Sequence, residues 1–165
     1  YNRESKYKQV SEGSMRTQVS HKLPFPAEVV WQTLQRSSTL VHVARTRVEF
    51  ATHNFPERWT EGQQIDTTVY RAGDPKDSGM EYHFVFEEID HDQMVMHTRE
   101  WGGPIKYWLH TYEVIPGDDD WCTLTNHFDV SGGWRLWVTL YLVGFFIPKY
   151  YTERHRRLYG LLTES

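Results

Sequence analysis

The chain has 165 residues, enough for one domain with a substantial core. Its net charge of −4 and pI near 6.1 speak against nucleic acid as a partner. The single Cys122 excludes an internal disulfide framework and any multi-cysteine metal site.

Residues 1–14 are polar, aperiodic and mixed in charge, which predicts a flexible arm ahead of one domain spanning 15–165. No secretory signal is visible, so a reducing, cytoplasmic setting is expected. Arg16 to Leu23 reads as a first strand, with Thr17, Val19, His21 and Leu23 on one face. Pro24-Phe25-Pro26 closes it, and Pro26 suits the first position of a short helix running to about Gln35. Ser37-Ser38-Thr39 is placed to cap a second short helix reaching about Ala44.

The pattern then changes to period two. Strand-like runs occupy about 46–54, 63–71, 80–89, 93–101, 106–115 and 121–130, separated by turn chemistry such as Glu61-Gly62, Gly102-Gly103-Pro104 and Pro116-Gly117-Asp118. Connections this short join antiparallel neighbours, because parallel strands need long crossovers. After Ser131-Gly132-Gly133 comes a run from Trp134 to Ile147 interrupted only by Arg135, Thr139 and Gly144. Pro148 cannot donate to the Gly144 carbonyl and should kink the helix. Beyond it the pattern is amphipathic: Ile147, Tyr151, Leu158, Leu161 and Leu162 share a face, and Lys149, Glu153, Arg156 and Arg157 look away, with Glu153 and Arg157 as an i,i+4 pair. The apolar run is shorter than the roughly 20 residues that a membrane span needs, so packing on the sheet is expected. An interfacial role for Trp134, Trp137 and Tyr141 is the alternative.

This order of elements, with several local pieces, resembles the helix-grip fold of the START and birch-pollen-allergen-like (SRPBCC) superfamily, in its polyketide cyclase/dehydrase branch. The pieces are Leu23 to Trp31 (LPFPAEVVW), Trp59-Thr60-Glu61-Gly62, Gly103-Pro104-Ile105, Thr123 to Val130 (TLTNHFDV) and His155 to Leu162 (HRRLYGLL). The resemblance covers about 15–163 and implies an α+β fold. A curved seven-stranded antiparallel sheet would wrap a long C-terminal helix around a hydrophobic cavity. The fold hosts carriers, receptors and enzymes alike.

Strand alternation selects candidates. In 121–130 the set Cys122, Leu124, Asn126, Phe128 and Val130 is apolar except for one amide, so it should face the cavity and carry Asn126 inward. In 80–89 the inward set is Met80, Tyr82, Phe84 and Phe86, an aromatic wall. Alternation does not decide 106–115 or 93–101. There the resemblance implies Trp108, His110, Tyr112 and Val114 inward, and His97 and Arg99 inward as well. Arg99, His110, Tyr112 and Asn126 would then converge as catalytic groups. Tyr82, Phe84, Phe86, His97, Trp108, Leu124, Phe128 and Tyr151 would bind ligand.

Such a set suits acid/base-assisted cyclisation or dehydration of a poly-β-ketone-like molecule, with an imidazole moving protons and a guanidinium or phenol holding an enolate oxygen. No cofactor is required. A carrier or sensor of a hydrophobic small molecule or lipid, with the 72–79 loop gating the mouth, is the competing reading. Related aromatase/cyclases often carry an arginine deep in the fourth strand, where this chain has Phe84 and Phe86. That departure speaks against aromatic-ring formation specifically. No metal-ligand motif is present. The basic residues Lys149, Arg154, Arg156 and Arg157 read as a solvated helix face that could dock an acyl carrier protein, and a monomer or homodimer is expected.

Overall fold

The computed structural model describes residues 14–74, 78–103, 105–118, 120–131 and 136–164. The arm expected over 1–14 thus lies, except for Ser14, outside the described residues, as do Trp134 and part of the 72–79 loop. Elements follow the predicted order: β1 (Met15–Leu23), α1 (Ala27–Leu34), α2 (Ser37–Ala44), β2 (Val48–Phe50), β3 (Gln64–Arg71), β4 (Met80–Asp90), β5 (Val95–Gly102), β6 (Ile105–Pro116), β7 (Cys122–Ser131), α3 (Leu136–Tyr141), a π-helical turn (Leu142–Phe146) and α4 (Ile147–Thr163).

All seven strands form one antiparallel sheet in the order β1-β7-β6-β5-β4-β3-β2. From β2 to β7 it is a meander of neighbours, as short connections require, and β1 returns to pair with β7 from Met15–Val130 to Leu23–Cys122. Register shifts in the β4–β5 and β5–β6 pairings mark bulges that bend the sheet. This is the helix-grip architecture. β2 is shorter than the predicted 46–54 because the chain is turning at both its ends. The Arg47 N–H donates back to Ala44, and that of Phe55 to Thr52. The expected serine cap of α2 is replaced by backbone: Arg36 takes the extended N-cap position with no side-chain cap, and the Ser37 N–H donates to the Glu57 carbonyl.

Ahead of Pro148 the terminal helix widens. Ile147 N–H donates five residues back to Leu142, so the turn before the proline is π-helical. Ile147, Tyr150, Tyr151, Arg154, His155, Leu158 and Leu162 are its buried face. Arg154 is therefore not on a solvated surface, contrary to the sequence expectation, and His155 is buried beside it. Glu153 pairs with Arg47 on the α2–β2 connection rather than with Arg157 (Arg47 Nη2 to Glu153 Oε1 2.9 Å, Nε to Oε2 3.0 Å).

One glycine is obligatory. Gly102 closes the β5–β6 hairpin with φ at +139°, and a Cβ there would collide with the backbone carbonyl of Glu81 on β4. Gly102→Ala is expected to destabilise the protein by about 2 kcal/mol or more, read as a lowered urea midpoint with an unchanged m-value.

Candidate active site

Between the sheet, α2 and the terminal helix lies a cavity of about 830 Å³. Its walls are mostly rings and aliphatic chains, with Trp59, Phe84, Phe86 and Met96 buried deep. The exposed members of the wall, Thr46, Arg71, Met80 and Tyr141, mark its opening. Alternation puts Met80, Tyr82, Phe84 and Phe86 of β4 on the wall, as the sequence predicts.

Among the described residues, the one carboxylate projecting from the sheet into this chamber is Glu100 of β5. Its Oε2 accepts from Tyr82 Oη at 2.5 Å; its Oε1 accepts from Thr98 Oγ1 at 2.8 Å and lies 3.3 Å from His110 Nδ1. Burial by itself pushes this carboxyl up, but the bonds from His110, Tyr82 and Thr98 outweigh it and hold the group below the usual carboxylate range. Burial lowers His110 to about 4, against the upward pull of Glu100. At neutral pH the pair is therefore an anionic carboxylate accepting from a neutral imidazole, not an ion pair. Burial, and then the negative charge of the Glu100 carboxylate that it bonds, push Tyr82 well above the ordinary phenol value.

The opposing charge comes from α4. Arg154 is only 8% exposed, and its guanidinium carbon stands 4.5 Å from the centre of the Tyr151 ring and 5.4 Å from that of Tyr150. Burial works against the cation, yet Tyr151, Tyr112 and Tyr150 together raise its pKa, Tyr112 also by a hydrogen bond. Among the described residues lining the chamber, the buried charges are thus the Arg154 cation and the Glu100 carboxylate, set among neutral phenols. Arg47 and Glu153 also line it, as a half-exposed pair.

Behind the wall runs a second polar row. Since an amide oxygen only accepts, His155 Nε2 must donate to Asn126 Oδ1 (3.3 Å). His155 Nδ1 is then the acceptor for His21 Nδ1–H at 2.8 Å. Asn126 Nδ2 and His110 Nε2 are buried and close no hydrogen bond, although the amide still favours a proton on His110. Burial, reinforced by His21, Arg154 and His110, lowers His155 to about 3.

The predicted residues separate into three groups. Tyr82, Phe84, Phe86, Trp108, Tyr112 and Tyr151 line the cavity. His110, Asn126, Leu124 and Phe128 are buried one layer behind it; Phe128 stacks on His110 at 4.5 Å and meets Tyr151 edge-on. Arg99 and His97 are on the outer face. Arg99 pairs with Glu87 at 2.9 Å with more than half its side chain exposed, and His97 bonds Thr111 at 2.8 Å. The reason is register. Met96, Thr98 and Glu100 lie opposite Tyr112, His110 and Trp108, and directly opposed residues share a face. The guanidinium expected from β5 is supplied instead by the helix.

Sequence reasoning missed Glu100 and Arg154. Arg154 was findable: it sits three residues after Tyr151 and four before Leu158, on the stripe that had to be buried. Glu100 carried no such signal. Among the described residues no cluster of three or more His, Cys, Asp or Glu is placed to hold a metal ion, and no helix is long and apolar enough to cross a membrane.

No protein-family model and no curated protein matches the sequence. Solved structures do match. A point mutant of norcoclaurine synthase from Thalictrum flavum, in complex with a transition-state analogue, aligns with a TM-score of 0.66 at 16% identity, covering 94% of this chain and 98% of its own. The Zhui aromatase/cyclase from Streptomyces sp. R1128 gives 0.60 at 13% identity over 89% and 92%. Protein CV1439 from Chromobacterium violaceum gives 0.65 at 10% identity over 88% and 95%. The chain has the helix-grip fold of these structures.

Proposed function

We propose that this helix-grip chain is a cyclase/dehydratase acting on a hydrophobic, poly-β-ketone-like carbonyl compound held in the internal cavity. The observation that carries this reading is the coexistence of the ionised Glu100 and the cationic Arg154 on the walls of one apolar chamber. Protons between two carbonyls are acidic enough for a carboxylate to remove once the enolate oxygen is stabilised. Glu100 takes such a proton, and Arg154, with the Tyr112 hydroxyl, receives the developing oxyanion in a site with little water. The enolate carbon then attacks a distal carbonyl. The protonated Glu100 returns its proton to the new alkoxide. Glu100 then removes a second proton from the carbon between the carbonyls and passes it to the departing hydroxyl, so that the C–O bond breaks, the C=C bond forms and water leaves. The aromatic walls hold the chain folded for ring closure. Tyr82 and Thr98 hold the carboxylate in place. Two neighbours in fold lend support: one is an aromatase/cyclase, and the norcoclaurine synthase has also been solved with dopamine and hydroxybenzaldehyde.

The test is turnover of a hydrophobic aryl diketone able to close a six-membered ring, with mass spectrometry following loss of water. Wild type is expected to release the cyclised, dehydrated product. Arg154→Met should lose about 10²-fold or more of that rate, the scale of one oxyanion donor. Its folding is checked by its thermal midpoint, because removing one of two buried charges costs stability. Arg154→Lys, which keeps the charge but not the planar fork, is the second variant and should lose rate while staying folded. A wild type that binds the diketone and returns it unchanged would assign the chain to the carriers.

A further inference from the structure

The helix entering the terminal rod is apolar on all sides, yet only half of it is covered. Val138, Leu142, Val143 and Ile147 are buried, whereas Leu136, Trp137, Leu140, Tyr141 and Phe145 stand about half exposed or more, Trp137 at 69%. A helix that is hydrophobic all round normally has a second apolar environment. Two observations say which. From Ser131 to Thr152 the sequence has no acidic residue and is bracketed by Arg135 and Lys149, in a chain whose net charge is −4. Lys149 Nζ lies 4.1 Å from the centre of the exposed Phe145 ring, so cation and apolar face are presented together. The strip is also continuous with the cavity. Tyr141 belongs to both, and Leu142 and Phe146 line the chamber beside it.

We propose that this strip lies in the interfacial plane of a phospholipid bilayer carrying anionic headgroups, with the cavity mouth turned to the lipid surface. Trp, Tyr, Leu and Phe on one side and a lysine at the headgroup level are what an interfacial helix presents. A second copy is the poorer occupant, because pairing through Tyr141 would seal both mouths. A hydrophobic carbonyl compound dissolved in the leaflet would reach the chamber without crossing water. Vesicle binding is read without turnover, so it stands or falls separately from the chemistry at Glu100.

The experiment is flotation of the protein with phosphatidylcholine vesicles, with and without phosphatidylglycerol. Wild type is expected to float with the mixed vesicles. Trp137→Ser combined with Leu140→Ser, both outside the cavity wall, should weaken partitioning by about tenfold or more at unchanged thermal stability. Lys149→Glu should weaken binding to the mixed vesicles only. Wild type that stays at the bottom with both vesicle types overturns the proposal. So does a double variant that floats as well as wild type, or a wild-type dimer that the double variant splits into monomers.

Discussion

Glu100→Gln is expected to reduce turnover of the aryl diketone by about 10²–10⁴-fold, the range that a positioned general base contributes. Affinity for the diketone should change little. Glutamine has the same shape: its amide oxygen, in the place of Oε1, still accepts from Thr98, and its NH2, in the place of Oε2, donates to the Tyr82 hydroxyl oxygen, so the wall keeps its form. What disappears is the negative charge and the ability to carry a proton. Thr98→Val provides the contrast. It removes one of three donors that hold the carboxyl low. The acid limb of the pH–rate profile should therefore move upward, while the plateau rate falls far less than in Glu100→Gln. A Glu100→Gln enzyme within about tenfold of wild type would remove Glu100 from the chemistry.

Stability should fall steeply in mild acid. His110 and His155 are buried, lowered to about 4 and about 3, against 6.5 for a free imidazole. As pH drops below 6.5 the unfolded chain binds protons that the folded chain refuses, so stability is lost from there down to the folded values. At 1.36 kcal/mol per pH unit, His110 contributes about 3 kcal/mol and His155 about 5 kcal/mol over those windows. Together that is comparable with the whole stability of an ordinary domain. Glu100 acts in the same direction lower down, since its folded pKa is depressed and its stabilisation disappears as pH falls through that value. Urea midpoints measured from pH 7 to pH 4 should record the decline. His155→Gln, which can still donate to Asn126 and accept from His21, should flatten the slope by about one proton. An unchanged slope in that variant would show that His155 takes up its proton equally in both states.

The outline of the fold was legible before any coordinates, for identifiable reasons. Period-two alternation in Met80-Tyr82-Phe84-Phe86 and in Cys122-Leu124-Asn126-Phe128-Val130 set which faces are buried, because a residue's side of a strand depends only on its neighbours in the chain. Turn residues between the strands set the meander, and Pro148 set the place where the terminal helix departs from regular α geometry. The cavity wall on β4 followed from the same alternation.

The charged groups of the site were another matter. Counted back from the closing pair Gly102–Ile105 with no irregularity, β5 would put Arg99 opposite Trp108 and therefore inward. One extra residue on β6 between Ile105 and Trp108 moves that place to Glu100 and turns Arg99 out to Glu87. Nothing local announces such a bulge, and a slip of one residue flips every side chain of a strand. Arg154 reads as a surface residue by type. Only the docked helix shows that Tyr112, Tyr150 and Tyr151 surround its guanidinium. Faces, turns and the irregular turn before Pro148 were thus properties of the chain by itself, because each is a short-range matter of sterics and period. The sign and position of charge inside the chamber were settled only in three dimensions, where strand register and helix docking depend on partners far away in sequence.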